Sequence, residues 1–214
     1  MQLRFETGLT SEEYVEQKAW LSASLSRCPL HPKGGCGFAR HTAYERVEPP
    51  GAFIARYYCP KGHTTFSLLP DCLASRLSST LAAVEQVAEA VAAVDESRET
   101  VAELLRPDIG RQGAMRWVHR RVVAVRVALV TVMGLLPALL AGCEFTLHAF
   151  REALAVERVM PALREAVSKQ LPALPPPVGF GPRSAPRNKR KKPRQQKAGA
   201  DPPKARARTS LPPE

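Results

Sequence analysis

The sequence predicts an α+β protein: a small β-rich module near the N-terminus, an all-α region after it, and a disordered C-terminal tail. Three observations lead there. Apolar residues make up 44% of the 214 residues but aromatics only 6%, so the main core must be built from Ala, Val and Leu, which favours helices. Cys, His, Gly and Pro concentrate between residues 27 and 73, around short apolar runs that suit strands joined by turns. From residue 171 onward the chain carries 11 of its 20 prolines, and 11 basic against 2 acidic residues. Proline and like charge together disfavour a packed core. The expected division is therefore a segment 1–26, a β-rich module 27–73, a helical domain 78–170 and a tail 171–214.

In order, residues 1–26 are mixed, with a short helix expected around Glu12 to Ser24. In the β-rich module, Phe53-Ile54-Ala55, Tyr57-Tyr58 and Thr65 to Leu69 are the strand candidates. A module of this size cannot bury much core and needs a staple. From Ser78 the period becomes helical, with Leu81, Val84, Val87, Ala88, Val91 and Val94 recurring at three and four residues. Asp95-Glu96-Ser97 interrupts it and caps a second helix through Val101, Leu104 and Leu105. Arg106 to Gly110 is a turn. A third helix starts near Gln112 and carries Arg116, His119, Arg120, Arg121 and Arg126.

Charge is segregated along these helices. Residues 81–105 hold one arginine against six acids, whereas 106–126 hold six arginines against Asp108. Three helices with an arginine-rich last member are how helix-turn-helix modules present themselves to DNA, although solvated or paired arginines on an amphipathic helix read the same way. Val127 to Cys143 is apolar for 17 residues, just short of a bilayer span. Gly134 and Pro137 within it count against insertion, so it is expected as a buried helix broken near Pro137. One more amphipathic helix is expected over residues 144–170, with Phe145, Phe150, Leu154 and Val159 in the core.

The net charge of +11 selects for an anionic partner without identifying it. Most of it lies in the tail, where Lys189, Arg190, Lys191 and Lys192 form the densest run. No apolar stretch follows a basic start, so a cytoplasmic protein is expected, nucleoid-associated if it binds DNA. In that compartment five cysteines are read first as metal ligands. Cys28 and His31 stand at C-x2-H spacing, and Cys59 and His63 at C-x3-H. Each short loop lets two donors converge on one tetrahedral ion, and two such knuckles around a strand make a zinc ribbon with structural Zn2+. Cys36, between glycines, is an alternative fourth ligand, and so is His41. Cys72 and Cys143 lie in apolar contexts and are expected as inert core thiols.

Several elements here resemble a known pattern: Cys28-Pro29; His41, Tyr44 and Arg46 as H-x-x-Y-x-R; Arg56-Tyr57-Tyr58-Cys59-Pro60; and Thr65 to Pro70 as T-F-S-L-L-P. They resemble the zinc-ribbon domain of small bacterial proteins associated with transposons and insertion sequences, over about a quarter of the chain. Many such ribbons have Cys where this chain has His31, and likewise at the second position of the other knuckle. The resemblance implies DNA binding by a mobile-element protein, with a transposase or a second copy of the chain as further partners. Arg40, Tyr44, Arg46, Arg56 and Tyr57 on the ribbon, and Arg116, Arg120 and Arg121 on the third helix, are the candidate DNA contacts.

Enzymatic motifs are missing from the sequence. There is no H-x-E with P-C-x-x-C, no phosphate-binding G-x-x-x-x-G-K-[ST] loop and no G-x-S-x-G elbow, and no strand-borne acidic triad suits two-metal phosphoryl transfer. A non-catalytic binder is expected. The rival expectation is a membrane-associated or protein-interaction module using residues 127–143 and the tail.

Overall fold

The computed structural model describes residues 1–93 and 97–181. Lys189, Arg190, Lys191 and Lys192 lie outside the described residues. The N-terminal half forms a four-stranded sheet in the order β1-β4-β3-β2. Its strands are β1 (Gln2–Phe5), β2 (Ala39–Glu45), β3 (Phe53–Cys59) and β4 (Thr64–Pro70). β2, β3 and β4 form an antiparallel meander, while β1 joins in parallel at the far edge of β4, pairing Leu3 with Leu68. The first 26 residues thus contribute a strand as well as helix α1 (Ser11–Glu16), which ends sooner than expected and is followed by a 3-10 turn at Ala19–Leu21.

The sheet is covered on both faces, and its two-residue period decides what each face meets. Ala55, Tyr57 and Cys59 of β3, with Phe66 and Leu68 of β4, pack with Ala23, Cys28 and Cys36 into a small cluster. Ile54 and Leu69, of opposite parity, enter the main core with the helices. The double coverage explains why β3 and β4 read as nearly continuous apolar runs. β2 is an edge strand and almost wholly exposed.

Helices α2 (Leu81–Ala93) and α3 (Arg98–Leu105) fall where the periodicity places them, with the Ser97 hydroxyl accepting from the Thr100 N–H as the cap of α3. The expected third helix and the first half of the apolar run are one element, α4 (Arg111–Leu135). It ends at Leu136, and Pro137 opens the short α5 (Pro137–Leu140), so the break falls at the expected place. The run is not buried throughout. Ala128, Leu129, Val132 and Leu140 face the core, whereas Val127, Val130, Leu135 and Leu139 are exposed. No helix among the described residues is long and apolar enough to cross a membrane.

The single helix expected over 144–170 is two, α6 (Leu147–Leu154) and α7 (Val159–Ala166). Ala155 closes α6 in the left-handed region, and Pro161 fits only because it sits in the first turn of α7. Glu85 on α2, fully buried, caps α7 by accepting from the Val159 and Met160 N–H groups at 3.0 and 2.9 Å, and pairs with Arg151 at 3.0 Å. Phe150 and Val159 are core residues as expected, but Phe145 is exposed.

The boundary at 171 also moves. Leu171, Leu174, Val178 and Phe180 are buried in the main core. Arg164 of α7 holds this segment: its guanidinium, itself buried, donates to the carbonyls of Pro177, Val178, Leu73 and Asp71 at 2.6 to 2.9 Å. The folded region therefore runs to at least Gly181.

Candidate metal centre

Four donors converge at the end of the sheet where β3 turns into β4. Cys28, His31, Cys36 and Cys59 place one ligand atom each within 4.8 Å of one another, with the three cysteines buried. The first knuckle is a tight turn, with the His31 N–H on the Cys28 carbonyl at 3.2 Å and the Gly34 N–H on the His31 carbonyl at 2.9 Å. Gly34 and Gly35 then both take positive φ, 84° and 75°, which turns the chain back and brings Cys36 over the site. Cys59 ends β3, and its sulfur accepts from the Gly62 N–H at 3.3 Å. A Cβ on Gly62 would stand 2.8 Å from a Leu30 methyl and 3.4 Å from the Cys59 sulfur, so a larger residue in this turn would have to push the exposed Leu30 side chain aside.

The spacing fits a metal. Nδ1 of His31 is 3.6 Å from the Cys28 sulfur and 3.3 Å from that of Cys59. Metal bonds of ~2.3 Å to sulfur and ~2.0 Å to nitrogen give a tetrahedron with an S···N edge of ~3.5 Å. Three thiols and one imidazole form a soft donor set, and all four positions come from the protein. Such a closed site stabilises a fold and leaves no open position for a substrate or an activated water.

The thiols differ in acidity. Burial pushes Cys28 up, but hydrogen bonds with His31 and the neighbouring backbone outweigh it and bring the thiol down to about 7. Cys59 is raised, by burial and by the adjacent Cys28 and Cys36. A metal must therefore displace at least the Cys59 proton at neutral pH, and its binding weakens as pH falls.

His63 is not among the four. Its backbone lies in the left-handed region at φ 45°, which turns the ring away to within 3.5 Å of the Tyr58 hydroxyl. Cys36 takes the fourth position. His41 is on the exposed edge strand, against Thr42, and is not a ligand either.

The candidate DNA contacts divide. Arg46 is buried and donates to the carbonyls of Leu77 and Ala74 at 2.5 and 3.2 Å, tying β2 to the start of α2. Tyr57 is buried under Phe38, with its hydroxyl on the Ala23 carbonyl at 3.4 Å. Arg121 is buried with its guanidinium 3.6 Å from the centre of the Trp117 ring. These three face the protein interior, which excludes them as phosphate contacts in this structure. Arg56 is half-buried over the half-buried Tyr44 ring at 5.6 Å. Arg40, Arg116 and Arg120 are exposed, although Arg40 is held by the carbonyls of Leu21 and Trp20 at 2.8 and 2.6 Å.

The structure adds basic residues that ligand spacing does not single out. Arg27 and Lys33 line a cleft with Cys28 and Cys36, and the exposed Lys61 sits in the second knuckle. The signal was present as an absence: residues 17–44 and 49–70, which supply all four ligands, contain no Asp or Glu. They contain Lys18, Arg27, Lys33, Arg40, Arg56 and Lys61. The carboxylates that flank these segments are Glu16 at the end of α1, Glu45 and Glu48 at the β2–β3 turn, and Asp71 just after β4; the last three lie at the other end of the strands. Comparison with protein-family models, with curated proteins and with solved structures finds no match.

Proposed function

We propose that the chain is a zinc-stapled, non-catalytic nucleic-acid-binding protein that engages duplex DNA with the metal end of its sheet. The reading rests on one observation: six Lys and Arg and no carboxylate in the two segments that build this end. Zn2+ with three thiolates carries a net charge of about −1, so one of these cations offsets the centre. The rest are in excess, and an uncompensated basic surface is the electrostatic footprint of a phosphate-binding protein. The closed ligand set supports a structural role for the metal rather than a catalytic one. The resemblance of the ribbon to transposon-associated proteins agrees with DNA as the partner and supports a role as a recognition or accessory protein of a mobile element. Arg116 and Arg120 offer a second basic surface on α4, and residues 182–214 add unspecific charge.

The proposal is checked by fluorescence anisotropy of the full zinc-loaded chain on a labelled duplex across a salt series. Reversing Arg27, Lys33 and Lys61 to Glu is expected to weaken binding at least tenfold. It should also lower the slope of log K against log salt by about 2 to 3, near 0.9 for each phosphate no longer neutralised. Deleting 182–214 is expected to weaken and flatten binding as well, while leaving the effect of the charge reversals in place. No binding by the intact protein at low salt, or equal binding by the charge-reversed variant, defeats the reading.

A further inference from the structure

The outer face of α4 has a pattern that the packing of the described residues does not use. Arg116, Arg120, Val123, Val127, Val130 and Gly134 recur at alternating steps of four and three residues, and all six are exposed. Val123, Val127 and Val130 are 43%, 38% and 48% exposed. Alternating three and four is the spacing of a coiled-coil seam, here turned to solvent and parallel to the buried seam on the opposite side of the helix. At ~1.5 Å per residue the 25-residue helix is ~37 Å long, enough for three heptads. Gly134 adds an independent observation. A helical glycine costs ~1 kcal/mol relative to alanine, yet nothing lies within 4 Å of where its Cβ would be, and its φ is not positive. The packing of the described residues gives no reason for it.

We propose that this face is the interface of a homodimer in which two copies of α4 pack antiparallel. Charge selects both the occupant and the direction. The segment from Val127 to Cys143 contains no charged residue, so its outward face is complementary to itself. Helix α4 has five arginines and no carboxylate, all of them at or before Arg126. A parallel pair would set Arg116 and Arg120 against their own copies. An antiparallel pair in the register that joins Val127 to the partner copy's Val130 also sets Val123 against Gly134. Each of these layers then occurs twice by the twofold symmetry. Arg120 is carried to the far end of the seam, beside the C-terminal turn of the other helix, whose free carbonyls hold partial negative charge. Gly134 is then the residue that lets the two backbones approach opposite Val123.

The proposal does not depend on the metal or on DNA. It is tested by sedimentation velocity of the full zinc-loaded chain between 1 and 100 μM, beside Val127→Asp/Val130→Asp and Gly134→Leu variants. The wild type is expected to reach twice its 23.4 kDa chain mass within this range. The double Asp variant is expected to remain a monomer and, at a dilution where the wild type is monomeric too, to show an unchanged thermal transition, because both side chains are exposed. Gly134→Leu separates association from folding: at the same dilution it should melt no lower than the wild type, and yet at higher concentration dimerise at least tenfold more weakly. A wild type that is monomeric at 100 μM overturns the proposal. So does a dimer that both variants leave intact, or a monomer that instead sediments with neutral phosphatidylcholine vesicles.

Discussion

Removing the metal, or replacing Cys59 by Ser, is expected to melt the metal end of the sheet while the helical core stays folded. The buried cluster on that face consists of eight residues, and three of them are the ligands Cys28, Cys36 and Cys59. Without an ion these thiols are small, weakly polar groups, and the loop carrying Gly34 and Gly35 has little else to order it. A structural zinc contributes on the order of 10 kcal/mol to a fold of this type, more than the remaining apolar members can replace. The opposite face is different. Ile54 and Leu69 are packed into a core of 21 buried residues that includes no ligand. Hydrogen exchange should thus show residues 25–40 and 57–66 losing protection on chelation, while Ile54, α2, α4 and α7 keep theirs. Uniform loss across the chain, or none, would contradict this separation. Acid should act as chelation does. The metal-bound state holds fewer protons than the free thiols, so the stability it confers is present above the thiol range and lost as pH falls, with zinc released by about pH 5.

Arg164→Met is expected to be the most damaging single substitution away from the metal. The side chain is 1% exposed, and its guanidinium spans carbonyls from two distant parts of the chain, Leu73 and Asp71 on one side and Pro177 and Val178 on the other. Burial brings its pKa down to about 10, so it remains charged at neutral pH. Methionine fills much of the volume but leaves these buried acceptors without a donor, each costing ~1–3 kcal/mol. A loss of about 3–5 kcal/mol should lower the melting temperature by roughly 10–15 °C in a domain of this size. Limited proteolysis should then cut near residues 172–181. A melting temperature within 2 °C of the wild type would show that the segment is held by its apolar residues alone.

Local features were legible in the sequence because their causes are local. The period of Leu81, Val84 and Val87, the cap at Ser97 and the stop at Pro137 each need only a few neighbouring residues to act. Cys28, His31 and Cys59 were legible for the same reason, since two-residue and three-residue loops constrain their ends. What remained hidden depends on partners far along the chain. β1 is only four residues, too short for the alternation of Gln2-Leu3-Arg4-Phe5 to stand out, and it forms by pairing with β4 more than sixty residues away. Arg46 is a candidate DNA contact by sequence, and nothing around Glu85 or Arg164 marks a charge for the interior, yet each is buried against backbone groups supplied by another element. Leu171, Leu174, Val178 and Phe180 read as part of a proline-rich tail because the arginine that anchors them belongs to α7.

The fourth ligand shows the same limit within one turn. Spacing favoured His63, which stands beside Gly62 just as His31 stands near Cys28. The left-handed backbone at His63 decides against it, and the consecutive positive φ angles of Gly34 and Gly35 decide for Cys36. Two adjacent glycines before a cysteine, in a segment already holding a ligand, were the available signal.

The metal centre is tested most directly by the metal content of the full chain purified without chelator, beside Cys36→Ser and His63→Ala variants. The expected result is one zinc per chain in the wild type and in His63→Ala, and a strong loss in Cys36→Ser. Less than half a zinc in the wild type, or zinc that survives Cys36→Ser and disappears with His63→Ala, would contradict the site described by these four residues.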